Sequence, residues 1–339
     1  MALTTNNLQS WKPQIDVYID DEKDVLIDTP IDKIFTIKET DRLQITEVGF
    51  SGYAPMQEVG DLGDAIEDQA FETYQFQYQR KTYRKQAVFS SDVLQTDQIG
   101  VVEDISRNMV REVKYTKAAN AYSVLRKAFN VGIVYGDSKP VISTAHPKKD
   151  GSGVQNNTYA DGLQREFNYD NLKFLEDQLY AQTSNNSNVL HIGSADRNKV
   201  LIVPYVLREI AFQVAGVNGP DGKPTSTDND KNYFRKGTKY DVFVCQFLGY
   251  EIARQFGEVG AITKNSVNNY WDTMWFLGDV EVMKKYYKFY QGKGYEKYLD
   301  DTRIVNESLI KVASDKYAYG ISGWFGIVGS QGNNTIYAG

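Results

Sequence analysis

The sequence is poor in the residues that most often carry chemistry. It has one cysteine, Cys245, so an internal disulfide and a CxxC metal site are both excluded. Two histidines, His146 and His191, are too few for a His-rich metal site. Proline is scarce at eight residues, and no apolar run approaches the ~18–20 residues of a membrane span. The opening Met1-Ala2-Leu3-Thr4-Thr5 lacks a basic stretch followed by an apolar one, so no secretory signal is expected and the default compartment is a reducing cytoplasm. With 44 acidic against 38 basic residues the net charge is −6, which argues against a dedicated DNA binder.

The catalytic and cofactor motifs are missing as well. No GxxxxGK[ST] loop, HExxH or GxSxG is present, and Gly292-Lys293-Gly294 lacks the third glycine of a dinucleotide fingerprint. Gly219-Pro220-Asp221-Gly222-Lys223-Pro224 imitates a phosphate loop in letters only, since proline removes amides that a phosphate needs. Asp228-Asn229-Asp230 starts like a calcium loop. Tyr233 at its sixth position and Lys239 at its twelfth exclude an EF-hand. An enzyme reading would have to use His146, with Ser143, Thr144 and Asp137 close in sequence. Triad members normally come from distant segments, so His146 reads as structural, in a His-Pro step that favours extended backbone. His191 reads as a strand-edge residue and Cys245 as a small buried hydrophobe. No cofactor and no metal are expected.

What the sequence has in quantity is aromatic side chain: 24 Tyr, 16 Phe and 4 Trp in 339 residues. Tyrosine suits strands, and it suits surfaces that are apolar at one end and wet at the other. A β-rich chain and a chain with much subunit contact both fit. The length is that of about two domains.

Along the chain, residues 1–40 have short periodicity, an acidic cluster at Asp20, Asp21, Glu22 and Asp24, and interrupting Pro13 and Pro30. They read as an extended arm with a short helix at Asp28–Ile37. Residues 41–95 read as a long two-stranded excursion. Gln57–Glu72 holds Glu58, Asp61, Asp64, Glu67, Asp68 and Glu72 with no base. Tyr74, Phe76 and Tyr78 then alternate with glutamines, the period of a half-buried strand. A basic cluster of Arg80, Lys81, Arg84 and Lys85 follows. The two charged segments fit pairing within one hairpin, and equally fit matched surfaces on neighbouring subunits.

The spacing of Val102, Ile105, Met109 and Val113, continued by Ala118, Tyr122, Leu125 and Phe129, predicts one helix over 97–129, with Glu103 four residues before Arg107. Leu172, Leu175 and Leu179 predict a helix over 168–183, capped by Asn168. Lys199–Val203 reads as a fully buried strand, followed by Pro204 and a helix over Tyr205–Ala215. Residues 217–239 form a long polar loop. Strands are expected at Asp241–Phe247, Tyr270–Leu277 and Ile321–Val328. The Lys/Tyr-rich Lys284–Tyr298 reads as a solvated basic face, with nucleic-acid contact as its weaker alternative.

Taken in order, an arm, a charged two-stranded loop, one very long helix, a strand–Pro–helix unit and a closing β segment resemble the major capsid proteins of tailed bacteriophages, whose fold encapsulins share. The local pieces that carry the resemblance are Glu47-Val48-Gly49-Phe50, Ile142-Ser143-Thr144-Ala145-His146-Pro147 and Val200-Leu201-Ile202-Val203-Pro204-Tyr205-Val206-Leu207. The resemblance implies an α+β capsid-type fold with an N-terminal arm (1–40), an extended loop (41–95), a peripheral domain (96–165) with its spine helix, an axial domain (166–270) and a return to the peripheral domain (271–339). It implies a self-assembling structural protein rather than an enzyme. Pentamers and hexamers would form an icosahedral virion shell, built in the host cytoplasm around double-stranded DNA that the wall contacts weakly. Separate scaffolding and portal proteins would be partners, and no membrane would be involved. Glu58, Asp61, Asp64, Glu67, Asp68, Arg80, Lys81, Arg84 and Lys85 become candidate intersubunit contacts. The alternatives are an encapsulin-like compartment and, further off, a small hydrolase using His146.

Overall fold

The computed structural model describes residues 11–25, 29–50, 72–96, 100–130, 136–160, 165–185, 188, 190, 192–193, 199–215, 240–266, 268–294, 296–303 and 308–332. The arm contains a helix that its periodicity did not announce, α1 (Lys12–Lys23), with Pro13 in its first turn, where a missing amide costs nothing. Ile15, Ile19 and Glu22 make its buried stripe. The short helix expected at 28–37 is only a 3-10 turn at Ile31–Lys33, which leads into strand β1 (Thr36–Thr40). Strands β2 (Gln44–Phe50) and β3 (Glu72–Gln79) pair antiparallel, from Gln44 opposite Gln79 out to Phe50 opposite Glu72. Strand β4 (Lys81–Ser90) continues almost directly from β3, and a short helix α2 (Ser91–Thr96) follows.

Helix α3 (Val101–Arg126) is the long rod that the apolar stripe predicts, somewhat shorter than 97–129. At ~1.5 Å per residue it is about 39 Å long. It begins after Gly100, whose φ of 75° is a left-handed turn that favours glycine. Glu103 and Asp104 sit in its first turn, where the helix dipole favours acids. Glu103 accepts from Arg107 at 2.8 Å, the i,i+4 pair expected from sequence. A small ladder, β5 (His146–Pro147) with β6 (Val154–Gln155), precedes helix α4 (Tyr169–Tyr180). Asn168 caps α4 by accepting from the Asn171 amide at 2.8 Å. Strand β7 (Lys199–Val203) is buried throughout, and Pro204 leads through a 3-10 turn into helix α5 (Arg208–Val214).

The last third departs more from expectation. Strand β8 is Tyr240–Val244 and is followed by helix α6 (Tyr250–Gln255). Strand β9 is Trp275–Asp279, because Tyr270–Met274 forms turns in which the Thr273 and Met274 amides both bond the Tyr270 carbonyl. The Lys/Tyr-rich stretch divides into helix α7 (Val280–Tyr286), strand β10 (Tyr287–Gly292) and the start of strand β11 (Lys297–Arg303). Asp279 caps α7 and stops β9 from running on. The strand expected over 321–328 holds only at its ends: Ile321 closes the long strand β12 (Ser308–Ile321), 322–326 turns, and Ile327 opens β13 (Ile327–Ser330).

Two larger sheets result. In one, β12 is the central strand. It pairs with β4 on one side and with β11 and then β10 on the other, and β1 adds in parallel to β10. The second sheet has the order β13-β9-β7-β8. The amino-terminal half of α3 packs with α1 against β4 and β12 through Ile15, Ile19, Phe89, Met109, Val110 and Leu309. Its carboxy-terminal half enters the largest core with Phe35, Tyr122, Phe247, Phe276 and Phe289. Helices α4 and α5 cover the second sheet through Leu172, Leu175, Leu179, Leu207 and Val214. The mixed helix and sheet content makes the chain α+β.

Candidate functional site

The described part of the β2–β3 hairpin is seated firmly on this chain. Tyr78 is buried, and its ring meets Tyr290 edge-on at 5.1 Å and Phe76 at 4.7 Å. Glu47 on β2 accepts from the Tyr78 hydroxyl at 3.1 Å and from the Tyr290 hydroxyl at 2.5 Å. One carboxylate thus ties both hairpin strands to the larger sheet. Burial, with Glu47 beside it, raises the Tyr78 and Tyr290 phenols far above their ordinary range, so both remain donors. Gly320 on β12 lets the hairpin approach. A Cβ there would lie 2.7 Å from the Phe76 ring and 3.2 Å from Tyr78. Further out, Tyr74 donates to the Pro147 carbonyl at 3.1 Å, and Gly136 lies against Tyr74 and Gln75. Alternation of aromatics at 74, 76 and 78 marked this strand in the sequence; the Glu47 clamp had no local signal.

The basic cluster does not act as one block. Arg80 sits at the hairpin root, its amide bonded to the Leu43 carbonyl at 2.9 Å and its guanidinium near the Thr40 carbonyl. Lys81 lies opposite Tyr317 and Lys85 opposite Ala313, so both share the sheet face that carries α3. Lys85 pairs there with Glu112 at 3.6 Å, both side chains half exposed. Arg84, opposite Ser314, is on the other face and exposed. The period-2 geometry of a strand separates residues that are neighbours in sequence. Glu58, Asp61, Asp64, Glu67 and Asp68 lie outside the described residues.

The arm helix is held by its own chain. Buried Glu22 accepts from Arg111 at 2.7 Å and pairs with Arg107 at 3.5 Å. The hydrogen bond from Arg111 leads the effects that hold its carboxyl below the ordinary value of 4.5. Lys114 donates to the carbonyls of Glu22, Lys23 and Val25, which closes the carboxy-terminal end of α1. Lys311 on β12 pairs with Asp16 and Asp300. Residues 12–23, which the sequence gives as part of an extended arm, are instead a helix packed on this same chain. Glu22 has two arginines and the apolar Ile15–Ile19 stripe close by on the same chain.

His146 is buried. Its Nδ1 lies 2.6 Å from the Asp137 carboxylate, and its ring stacks on Trp324 at 4.2 Å. Ser138, with φ 61°, turns the loop so that Asp137 also accepts from the Lys139 amide at 3.0 Å. Among the described residues the Nε2 atom has no hydrogen-bond partner, Ser143 Oγ accepts from the Ala145 amide, and Thr144 is exposed. A histidine general base needs its free nitrogen within hydrogen-bond reach of a hydroxyl; no hydroxyl of the described residues meets it. Cys245 is fully buried, and desolvation pushes its thiol up to about 12, the opposite of an activated nucleophile. His191, the calcium-like Asp228 segment and the Gly219–Pro224 segment lie outside the described residues. Among the described residues no group of three His, Cys, Asp or Glu could hold a metal ion, and no helix is long and apolar enough to cross a membrane.

No protein-family model and no curated protein matches the chain. Solved structures similar to it include the capsid of bacteriophage JBD30 decorated with minor capsid protein trimers, 12% identical, covering 65% of this chain and 91% of that one, with a TM-score of 0.49. The capsid of an empty GTA particle is 13% identical over 90% of each chain, with a TM-score of 0.49. The satellite phage P4 procapsid that includes the size determination (Sid) protein is 8% identical over 96% of this chain and 97% of that one, with a TM-score of 0.47.

Proposed function

We propose that this chain is the major shell-forming protein of a tailed-bacteriophage head. Copies assemble into pentamers and hexamers that close an icosahedral wall around double-stranded DNA. The observation that carries the reading is the order of parts from Lys12 to Ser330: an arm, a two-stranded hairpin, a 26-residue spine helix, and two sheets packed along it. That is the order on which the sequence resemblance rests. The hairpin supports it further, because its aromatic root is seated on the larger sheet and the sequence between its two strands is acidic. In this reading 1–40 is the arm, 41–95 the intersubunit loop, 96–165 with 271–339 the peripheral domain and 166–270 the axial domain. Scaffolding and portal proteins act in assembly. A mildly acidic chain suits a wall that encloses DNA without gripping it.

The test is negative-stain electron microscopy of the purified protein beside size-exclusion chromatography, across salt and protein concentration. Closed shells, tubes or capsomer rings are expected. A uniform small oligomer under every condition, including co-expression with candidate scaffolding proteins, overturns the reading.

A further inference from the structure

A cavity of about 200 Å3 lies between α3 and the β12-centred sheet. The ladder register explains which side chains reach it. Lys81, Tyr83 and Lys85 alternate onto the sheet face that carries α3, beside Ala313, Asp315 and Tyr317 of β12. Tyr83, Ala313 and Tyr317 form the floor. Val113 and Thr116, three residues apart and so on one side of α3, form the roof. Ala313 and Thr116 are small for a helix that packs on a sheet, and this leaves the space. The floor is held in place. Asn120 donates to the Tyr317 hydroxyl at 2.9 Å. Tyr317 stacks on Phe289 at 5.3 Å and on Tyr83 at 4.4 Å, the latter pair with 9° between planes. Tyr83 ends this row of rings, and no second ring of a described residue stacks on it. The charges around the cavity are matched. Lys85 pairs with Glu112 at 3.6 Å at the mouth, and Asp315 pairs with Lys117 at 2.8 Å. The Thr116 hydroxyl makes no hydrogen bond with any described residue.

We propose that this cavity binds a small neutral aromatic molecule with one hydrogen-bonding substituent, of the size of a phenol. The volume sets the size. A dry apolar cavity of ~150 Å3 holds one benzene ring, so this one has room for a ring and one substituent. The lining sets the class. Tyr83 offers a ring with one side already stacked and ordered, and aromatic pairs gain beyond the area they bury. A charged ligand would find the nearby charges already paired, and an unpaired charge is costly to bury. The Thr116 hydroxyl can donate to or accept from the substituent. A mostly apolar hollow with a few placed polar groups is the usual form of a small-molecule site. Its position gives the consequence. A bound ring would touch α3 on one side and β4 and β12 on the other, and so tie the long helix to the strand that continues from the hairpin. The site is complete within one chain and does not depend on assembly.

The test is fluorine NMR of 4-fluorophenol with the full-length protein, with phenol as competitor. Saturable binding that phenol displaces is expected, with a dissociation constant below about 1 mM. The thermal midpoint should rise with phenol concentration. Thr116→Leu and Ala313→Val each fill the space, and a filled variant that keeps the wild-type melt should bind about tenfold more weakly or not at all. Thr116→Val keeps the shape and removes the hydroxyl, so a stable fold is expected whatever the fate of the filled variants. It should weaken 4-fluorophenol about fivefold and leave fluorobenzene unchanged. Cyclohexanol, of like size without an aromatic face, should bind wild type about fivefold more weakly than phenol. The absence of displaceable binding to wild type overturns the proposal, as does undiminished binding to a folded filled variant. An equal effect of Thr116→Val on 4-fluorophenol and fluorobenzene overturns the role of the hydroxyl, and cyclohexanol binding as tight as phenol overturns the aromatic class.

Discussion

Gly320→Ala is the sharpest probe of how the hairpin is seated. Gly320 lies in β12 with ordinary extended backbone, so an added methyl tests space and nothing else. The new Cβ would sit 2.7 Å from Phe76 Cε1 and 3.2 Å from Tyr78 Cε1. An ordinary carbon contact is ~3.5–4.0 Å, so one ring or the other must move by about 1 Å. The rings cannot move freely, because Tyr78 is buried against Tyr290 and bonded to Glu47. Overpacking of this size costs ~1–3 kcal/mol. Alanine in place of glycine within a strand returns ~0.5–1 kcal/mol. The net expectation is a loss of about 1–2 kcal/mol, seen as a thermal midpoint a few degrees lower and as faster proteolysis within 44–79. The control is Phe76→Ala. In that background most of the clash is gone, and Gly320→Ala should cost no more than about 0.5 kcal/mol. A Gly320→Ala protein as stable as wild type, or an equal loss in both backgrounds, would refute the seating of the hairpin on β12.

Other outcomes follow from the same packing. Met109→Asp places an unpaired carboxylate among Ile15, Phe89, Val110 and Leu309 and should cost about 3–5 kcal/mol; a soluble variant with a native melt contradicts the helix face assigned here. Acid should loosen the arm. The Glu22 carboxyl is held below its ordinary 4.5, so its contribution is complete above that value and is lost as pH falls through the lower folded value. Hydrogen exchange at 12–25 should therefore rise below about pH 4.5 in wild type, and Glu22→Gln should show raised exchange already at neutral pH. Removal of the α4 cap by Asn168→Ala should cost about 1 kcal/mol, read as a lower thermal midpoint. An unchanged melt would mean that the bond to the Asn171 amide adds nothing.

Local pattern determined a good part of this protein. Apolar spacing from Val102 to Leu125 requires a long amphipathic helix, and the continuous run Lys199–Val203 requires a strand buried on both faces. Asn168 and the aromatic alternation at 74–78 likewise marked their elements, since each rests on contacts within a few residues. The order of those elements already carried the family resemblance. The near absence of Cys and His likewise narrowed the chemistry before any fold was known.

Tertiary structure decided what depended on distant partners. Helix α1 has a short stripe and acids on its flank, and it is held because Arg111 and Lys114 come to it from α3. Strand β12 reads as polar and mixed, with Lys311, Asp315 and Lys316, and it becomes central because β4, β10 and β11 flank it. Its buried charges are tolerated because Asp16 and Asp300 pair with Lys311. The basic stretch at 80–85 is one cluster in sequence and two surfaces in the fold, since successive strand residues point to opposite faces. Arg84 and Lys297 are neighbours only through Ser314. Periodicity reports which side of an element is apolar; it carries no information about which remote residue will stand across from it.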